Sequence, residues 1–179
     1  MIHAKVWGIL PKDRVEIKTK KENVDYRKLI AAGSCFAEGE EVIDYGFVER
    51  WILGLEEKYG VEVMQVGYDR YNAISTVQKL EANSMECVEV KQHSSVLHPP
   101  TKLLREAILK KEFAYDENRL LEINFQNARC TEDTNLNKYV NKKRSAGKVD
   151  MVVSTIIAVY LMQQAMLDNS ELDWGIQVI

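Results

Sequence analysis

Two aspartates and one basic run are the residues in this sequence whose types and spacing suit a chemical task. Asp69 directly follows Gly67-Tyr68, at the end of a stretch rich in β-branched residues, and Asp150 heads the most apolar stretch of the chain. Open α/β sheets place their sites at the carboxyl ends of strands. An aspartate there, just before helix-forming residues, serves equally well as a helix cap, so both readings stand for Asp69. Asp150 taken alone is a cap or a partner of the helix dipole. Taken together, the two carboxylates can converge although they lie far apart in sequence. Mg2+ and Mn2+ prefer carboxylate oxygens. Two such ions clamp the attacking and leaving oxygens of a phosphodiester and turn bound water into a nucleophile. Two carboxylates cannot neutralise two dications, so such a site takes three or four acidic ligands.

Between these acids lie Lys138, Lys142, Lys143, Arg144 and Lys148, with no Asp or Glu from Lys138 to Val149. A charge run is most often a solvated face. Beside a metal site it becomes a means of holding a phosphate backbone, and each phosphate neutralised steepens the salt dependence of binding. Other chemistries lack their residues. The chain has no GxxxxGK[ST], GxSxG, HExxH or GxGxxG. His3, His93 and His98 form no metal or triad spacing and read as surface or turn residues. The three cysteines, Cys35, Cys87 and Cys130, form no CxxC pair and read as reduced thiols, with Cys87 in the core.

The elements that must position these residues follow from periodicity and breakers. Residues 3–10 read as one strand ended by Pro11, and 12–28, with seven Lys/Arg and four Asp/Glu, as a solvated connection or flap. Tyr26 to Ala32 suits a short helix stopped at Gly33. Asp44 suits the N-cap of a helix to about Lys58, with its apolar stripe at Phe47, Val48, Trp51, Ile52 and Leu55 and with Gly60 at C′. Val61–Tyr68 reads as a strand, Tyr71–Ala82 as a helix and Met85–Val90 as a strand. His98-Pro99-Pro100 predicts an extended turn, after which Thr101 opens a helix to about Lys111. Phe113–Tyr115 is extended, Asn118–Ala128 helical, and a hairpin turns around Thr134-Asn135-Leu136-Asn137. The apolar helix spans 151–166. Its most apolar part, Met151–Met162, is short of the ~20 residues that cross a bilayer, so it reads as a core helix with no membrane partner. The alternation predicts an α/β chain with a largely parallel sheet.

A length of 179 residues suits one domain, and 46% hydrophobic with 28% charged residues is ordinary globular usage. That excludes a disordered, collagen-like or disulfide-stapled chain. A formal charge of −3 excludes a wholly basic nucleic-acid binder but not a local basic patch. The N-terminus lacks the basic and apolar regions of a signal peptide.

In order along the chain stand Tyr26-Arg-Lys-Leu-Ile-Ala-Ala-Gly33, Glu41-Val-Ile-Asp-Tyr45, Val66-Gly-Tyr-Asp-Arg-Tyr-Asn-Ala73, Val90-Lys-Gln92, Asn127-Ala128 and Lys142-Lys-Arg-Ser-Ala-Gly-Lys-Val-Asp150. With these motifs the sequence resembles the C-terminal nuclease domain of a tailed-phage or prophage terminase large subunit. The resemblance covers residues 1–167 and leaves 168–179 as an acidic, mobile tail. It implies an RNase H-like α/β fold, a mixed sheet flanked by helices, and a metal-dependent endonuclease that cuts concatemeric DNA by two-metal phosphodiester hydrolysis. It implies Asp69 and Asp150 as catalytic metal ligands for Mg2+ or Mn2+, and Lys142, Lys143, Arg144 and Lys148 as the segment facing DNA. Asn127 and Gln92 match recurring polar positions. The implied partners are double-stranded phage DNA, the terminase ATPase domain, the small terminase subunit and the portal, in the cytoplasm of a bacterial host. The family's first catalytic aspartate lies on a strand upstream of residues 3–10, and its ATPase half has no counterpart here. The expectation is therefore an N-terminally truncated nuclease that lacks the first strand and, by itself, binds metal weakly and cuts poorly. An open sheet edge would then invite a homo-dimer with exchanged strands. The alternative is an inactive remnant serving as a DNA-binding or assembly module. A third reading is an α/β domain whose two aspartates are caps and whose basic run is solvated.

Overall fold

A central apolar helix, α8 (Asp150–Asp168), organises the molecule. The computed structural model of the chain describes residues 1–70 and 73–168 and the strand backbone at 177 and 178. Val152, Ile156, Ile157, Val159 and Leu161 of α8 are buried. By length and composition alone the helix would cross a membrane, but half of it is covered by the rest of the fold. It packs against α6 (Ser94–Leu109) and α7 (Arg119–Asn127). Leu97, Leu104 and Ala107 of α6 join α8 and Val90 in the larger core cluster. A second cluster gathers Leu120 and Leu121 of α7 with Met151, Cys35, Tyr26 and Leu29.

The strands are short and mostly parallel. β1 (Ile2–Ala4) lies between β6 (Phe113–Tyr115) and β9 (Gln177–Val178), pairing parallel with both. β2 (Gly8–Leu10) pairs parallel with β3 (Cys35–Ala37), and β4 (Val66–Tyr68) with β5 (Cys87–Glu89). Among the described residues, only β7 (Cys130–Glu132) and β8 (Lys138–Val140) pair antiparallel, as a hairpin. The α/β class and the parallel pairing match the sequence; the sheet itself is divided into small pieces.

The expected single strand at 3–10 is two strands. Between them the Val6 carbonyl accepts a bond from Asn118 Nδ2 (2.6 Å), and Trp7 turns onto Trp51 and Tyr59, with ring centroids 5.2 and 5.5 Å away. The expected flap at 12–28 instead holds a 3-10 turn (Lys12–Arg14) and α1 (Val15–Glu22). The Tyr26 hydroxyl donates to Glu22 (2.6 Å) and ties α1 to α2 (Tyr26–Ala31). Asp44 does cap its helix, accepting from Gly46 N at 2.8 Å. Gly54 then divides that helix into α3 (Tyr45–Leu53) and α4 (Leu55–Tyr59). Gly60 closes α4 in the left-handed region, φ +63°, which only glycine enters without strain.

The largest departure is α6. His98-Pro99-Pro100 is not an extended turn, and Thr101 opens no helix; all four lie inside α6, which starts after an N-cap at His93. Two prolines remove two helical N–H donors. Tertiary contacts override that cost: Pro100, Thr101 and Leu104 are buried against the core, and His98 Nδ1 accepts from Lys138 N at 2.8 Å, docking the hairpin on the helix. Helix 71–82 shortens to α5 (Ile74–Ala82), with Tyr71 and Asn72 outside the described residues. The expectation of a mobile tail falls mostly on residues outside those described.

Candidate functional site

Asp150 is the first residue of α8 and is exposed, with its Oδ1 3.5 Å from Lys142 Nζ. The backbone on both sides of it is held by α7. Asn127 Nδ2 donates to the Lys148 carbonyl (3.1 Å), and Asn124 Oδ1 accepts from Met151 N (3.2 Å). The first four N–H groups of a helix have no partner within it, and Asn124 supplies one from a neighbouring helix.

The basic run is a built turn. Asn141 Oδ1 accepts from the amides of Lys143 (3.0 Å) and Arg144 (3.3 Å), and the Asn141 carbonyl accepts from the Ser145 hydroxyl (2.8 Å). Ala146 N donates to the Asn127 carbonyl (3.0 Å). Lys142, Lys143, Arg144 and Lys148 are exposed. Lys142 leans on Asp150 and Lys138 on Glu132 (3.5 Å). Among the described residues no carboxylate lies within ion-pair reach of Lys143, Arg144 or Lys148.

The hairpin before this turn is fixed by Asp133. Its Oδ1 accepts from the amides of Asn135 (2.8 Å) and Asn137 (2.9 Å), and its Oδ2 from the Ser94 hydroxyl (2.6 Å) and Asn137 Nδ2 (3.0 Å). The Ser94 bond, followed by those from Asn137, holds this carboxyl far below the usual carboxylate range.

A cleft of about 290 Å³ opens beside Asp150 and Lys148, walled by Lys18, Tyr26, Asn124 and Ser154. Cys35 also lines it, but burial pushes its thiol up to about 11, so it stands neutral and is no thiolate nucleophile. A larger cleft of about 610 Å³ adjoins through Val6, Trp7, Ile9 and Ser154. Neither aspartate lines it. Of the two clefts, the smaller is the one lined by Asp150 and Lys148.

Asp69 follows β4 and is half-buried. α5 takes Ala73 at its cap position, so Asp69 precedes that helix rather than capping its first residue. Gly67 packs against Ile157 and Leu161 of α8 so closely that an added Cβ would lie 2.6 Å from Ile157. From that contact Asp69 is two residues on, just past the end of β4, and Asp150 seven residues back along the helix, about 10 Å. α8 is thus the element that relates the two. No group of three His, Cys, Asp or Glu side chains suited to a metal occurs among the described residues.

The sequence missed Asn124, Lys18 and Tyr26 as neighbours of Asp150. Two asparagines three apart inside a helical pattern were the available signal, because asparagine is a poor interior helix residue. Gln92 Nε2 donates to the carbonyl of Val90 (3.1 Å), and among the described residues it shows no hydrogen bond to these groups.

Residues 1–166 match the family model described as terminase large subunit, endonuclease domain. No curated protein matches the chain. Among solved structures, the fold is similar to the large terminase of bacteriophage HK97, with a TM-score of 0.77 at 19% identity over 86% of this chain and 32% of that one. It is also similar to the large terminase nuclease from thermophilic phage G20c, with a TM-score of 0.52 at 18% identity over 74% of this chain and 65% of that one. The chain thus spans about a third of the first relative and just under two thirds of the second.

Proposed function

The chain belongs to the terminase large-subunit endonuclease family, and on that premise we propose that it is the DNA-cutting module of a phage packaging machine, acting on double-stranded DNA in a bacterial cytoplasm. The observation that supports this reading is the Lys142–Asp150 contact at 3.5 Å, which brings the basic turn beside the carboxylate proposed as a metal ligand. Lys143, Arg144 and Lys148 hold the DNA backbone. Asp150, from α8, and Asp69, from the end of β4, are the carboxylates this chain offers a divalent cation.

Their oxygens are the donors that Mg2+ or Mn2+ takes, and a single ion keeps waters in its remaining positions. They are too few for a pair of ions, and no third ligating side chain joins them among the described residues. A two-ion site does not fit these residues alone, so no bond-breaking step is assigned to them. A bound ion would supply an activated water and charge neutralisation. The chain's own residues steer the duplex, seat its phosphates and present the two carboxylates. The DNA to be cut, the ATPase-bearing part of a large subunit, the small subunit and the portal are the partners this reading assigns.

Titration calorimetry with Mn2+ tests it. The parent chain should bind Mn2+ weakly, and Asp69→Asn and Asp150→Asn should each weaken binding at least tenfold. Identical heats in all three refute the assignment. The incomplete ligand set also supports a second reading, a non-catalytic DNA-binding or assembly module. A chain that binds duplex in EDTA but never nicks plasmid in Mn2+ selects that one.

A further inference from the structure

Asn124 and Asn127 stand three residues apart on α7 and so share one face of that helix. Asn127 Nδ2 donates to the carbonyl of Lys148, and Asn124 Oδ1 accepts from the amide of Met151. The two bonds bracket Lys148-Val149-Asp150 from either side. The backbone of Asn127 also takes the amide of Ala146 (3.0 Å), so one residue grips the turn at two points. Gly147 lies between them, and a Cβ there would stand 2.6 Å from Asn127 Nδ2 and 3.0 Å from its Cγ. Asn124 is 3% exposed and is itself held by donating Nδ2 to the Leu120 carbonyl (2.9 Å).

We infer that Asn124, Asn127 and Gly147 form a positioning clamp that sets the basic turn and Asp150 at a fixed height above α7, so that Lys148 and its neighbours meet DNA phosphates together. The inference rests on the proposed DNA contact of the turn and assigns roles to residues that touch no substrate. Without the clamp the cations remain on the chain but lose their common geometry. Two bonds to main-chain atoms suffice to favour one arrangement of an exposed turn.

The test is the salt dependence of binding to a 30-base-pair duplex in EDTA, read as the slope of log K against log salt. Each phosphate contact contributes about 0.9 to that slope. Lys148→Gln should lower it by about one. Asn127→Ala and Gly147→Ala, which attack the clamp from opposite sides, should each lower it by a similar amount. The double variant Asn127→Ala/Lys148→Gln should add little to either single change, because both act on one contact. Asn83→Ala removes a comparable side-chain bond to a helix carbonyl (2.8 Å) far from the turn in sequence and should leave the slope unchanged, which separates positioning from general loss of stability. Parent slopes in Asn127→Ala and Gly147→Ala, with a reduced slope in Lys148→Gln, would overturn the clamp and leave the DNA contact standing. A parent slope in Lys148→Gln itself would overturn the contact, and the clamp with it.

Discussion

Asp150 and Asp69 stand in unlike surroundings, although each belongs to a short, specific sequence motif. Asp150 begins a 19-residue helix whose buried face runs through the core, and α7 holds the backbone on either side of it. Asp69 follows a three-residue strand in a two-stranded sheet, with half-buried residues along β4. A two-stranded pair is marginal by itself and needs packing from elsewhere. For β4 that packing is the seating of Gly67 on Ile157 and Leu161. The backbone around Asp150 is held by hydrogen bonds from α7, and the strand before Asp69 by the close seating of Gly67 on α8. Two equally legible motifs are thus seated by different means, main-chain hydrogen bonds in one case and close packing in the other.

The contrast can be broken most forcefully at Leu121. It is fully buried beneath the face that presents Asn124 and Asn127, and Leu121→Ala should cost about 2–5 kcal/mol of stability, measured by urea unfolding. A loss under about 1 kcal/mol would mean α7 is not the firm support described. Gly67→Val should cost about 1–3 kcal/mol through overpacking. Amide exchange should then rise across β4 while the first turn of α8 keeps its protection. Equal loosening at both places would erase the distinction. Asn124→Ala, which strips Met151 N of its partner, should cost about 1–3 kcal/mol and raise exchange at Met151 with β4 unaffected.

Smaller effects sharpen the picture. Asp133 has a folded-state pKa below its unfolded one, so its contribution is complete above the unfolded value of about 3.9 and fades as pH falls through the folded value. The parent should lose thermal stability on acidification below pH ~4 more steeply than Asp133→Asn; parallel curves would remove Asp133 as the hairpin's anchor. Asp150→Asn should change stability by less than about 0.5 kcal/mol, because its ion pair with Lys142 is exposed. A larger loss would make Asp150 a structural residue.

Much of this was legible in the residues themselves. Asp44 capping its helix, Gly60 ending α4, the hairpin at Thr134–Asn137 and the apolar helix after Asp150 all rest on local chemistry that a sequence displays. The basic turn and Asp150 were legible as a neighbourhood, since only Val149 separates Lys148 from Asp150. What escaped was set by distant partners. α6 runs through two prolines because α8 and β8 hold it. The first strand divides because Asn118, more than 100 residues away, takes the Val6 carbonyl. The roles of Asn124 and Asn127 arise only when α7 lies beside the start of α8; their three-residue spacing marks a shared helix face but not what that face meets.

The exposed basic turn has a kinetic consequence as well. The chain carries net charge −3, yet four cations crowd residues 142–148 with no acid among them. Such a molecule is an electric dipole. Near a polyanion it is repelled as a whole and attracted at one end, so it rotates as it approaches. If the turn meets DNA as proposed, encounters that begin in the wrong orientation would separate, and those that persist would arrive with the turn, and with it Asp150, facing the duplex. Added salt shortens the range of that guidance, to about 8 Å at physiological ionic strength, so orientation is selected only in the last approach.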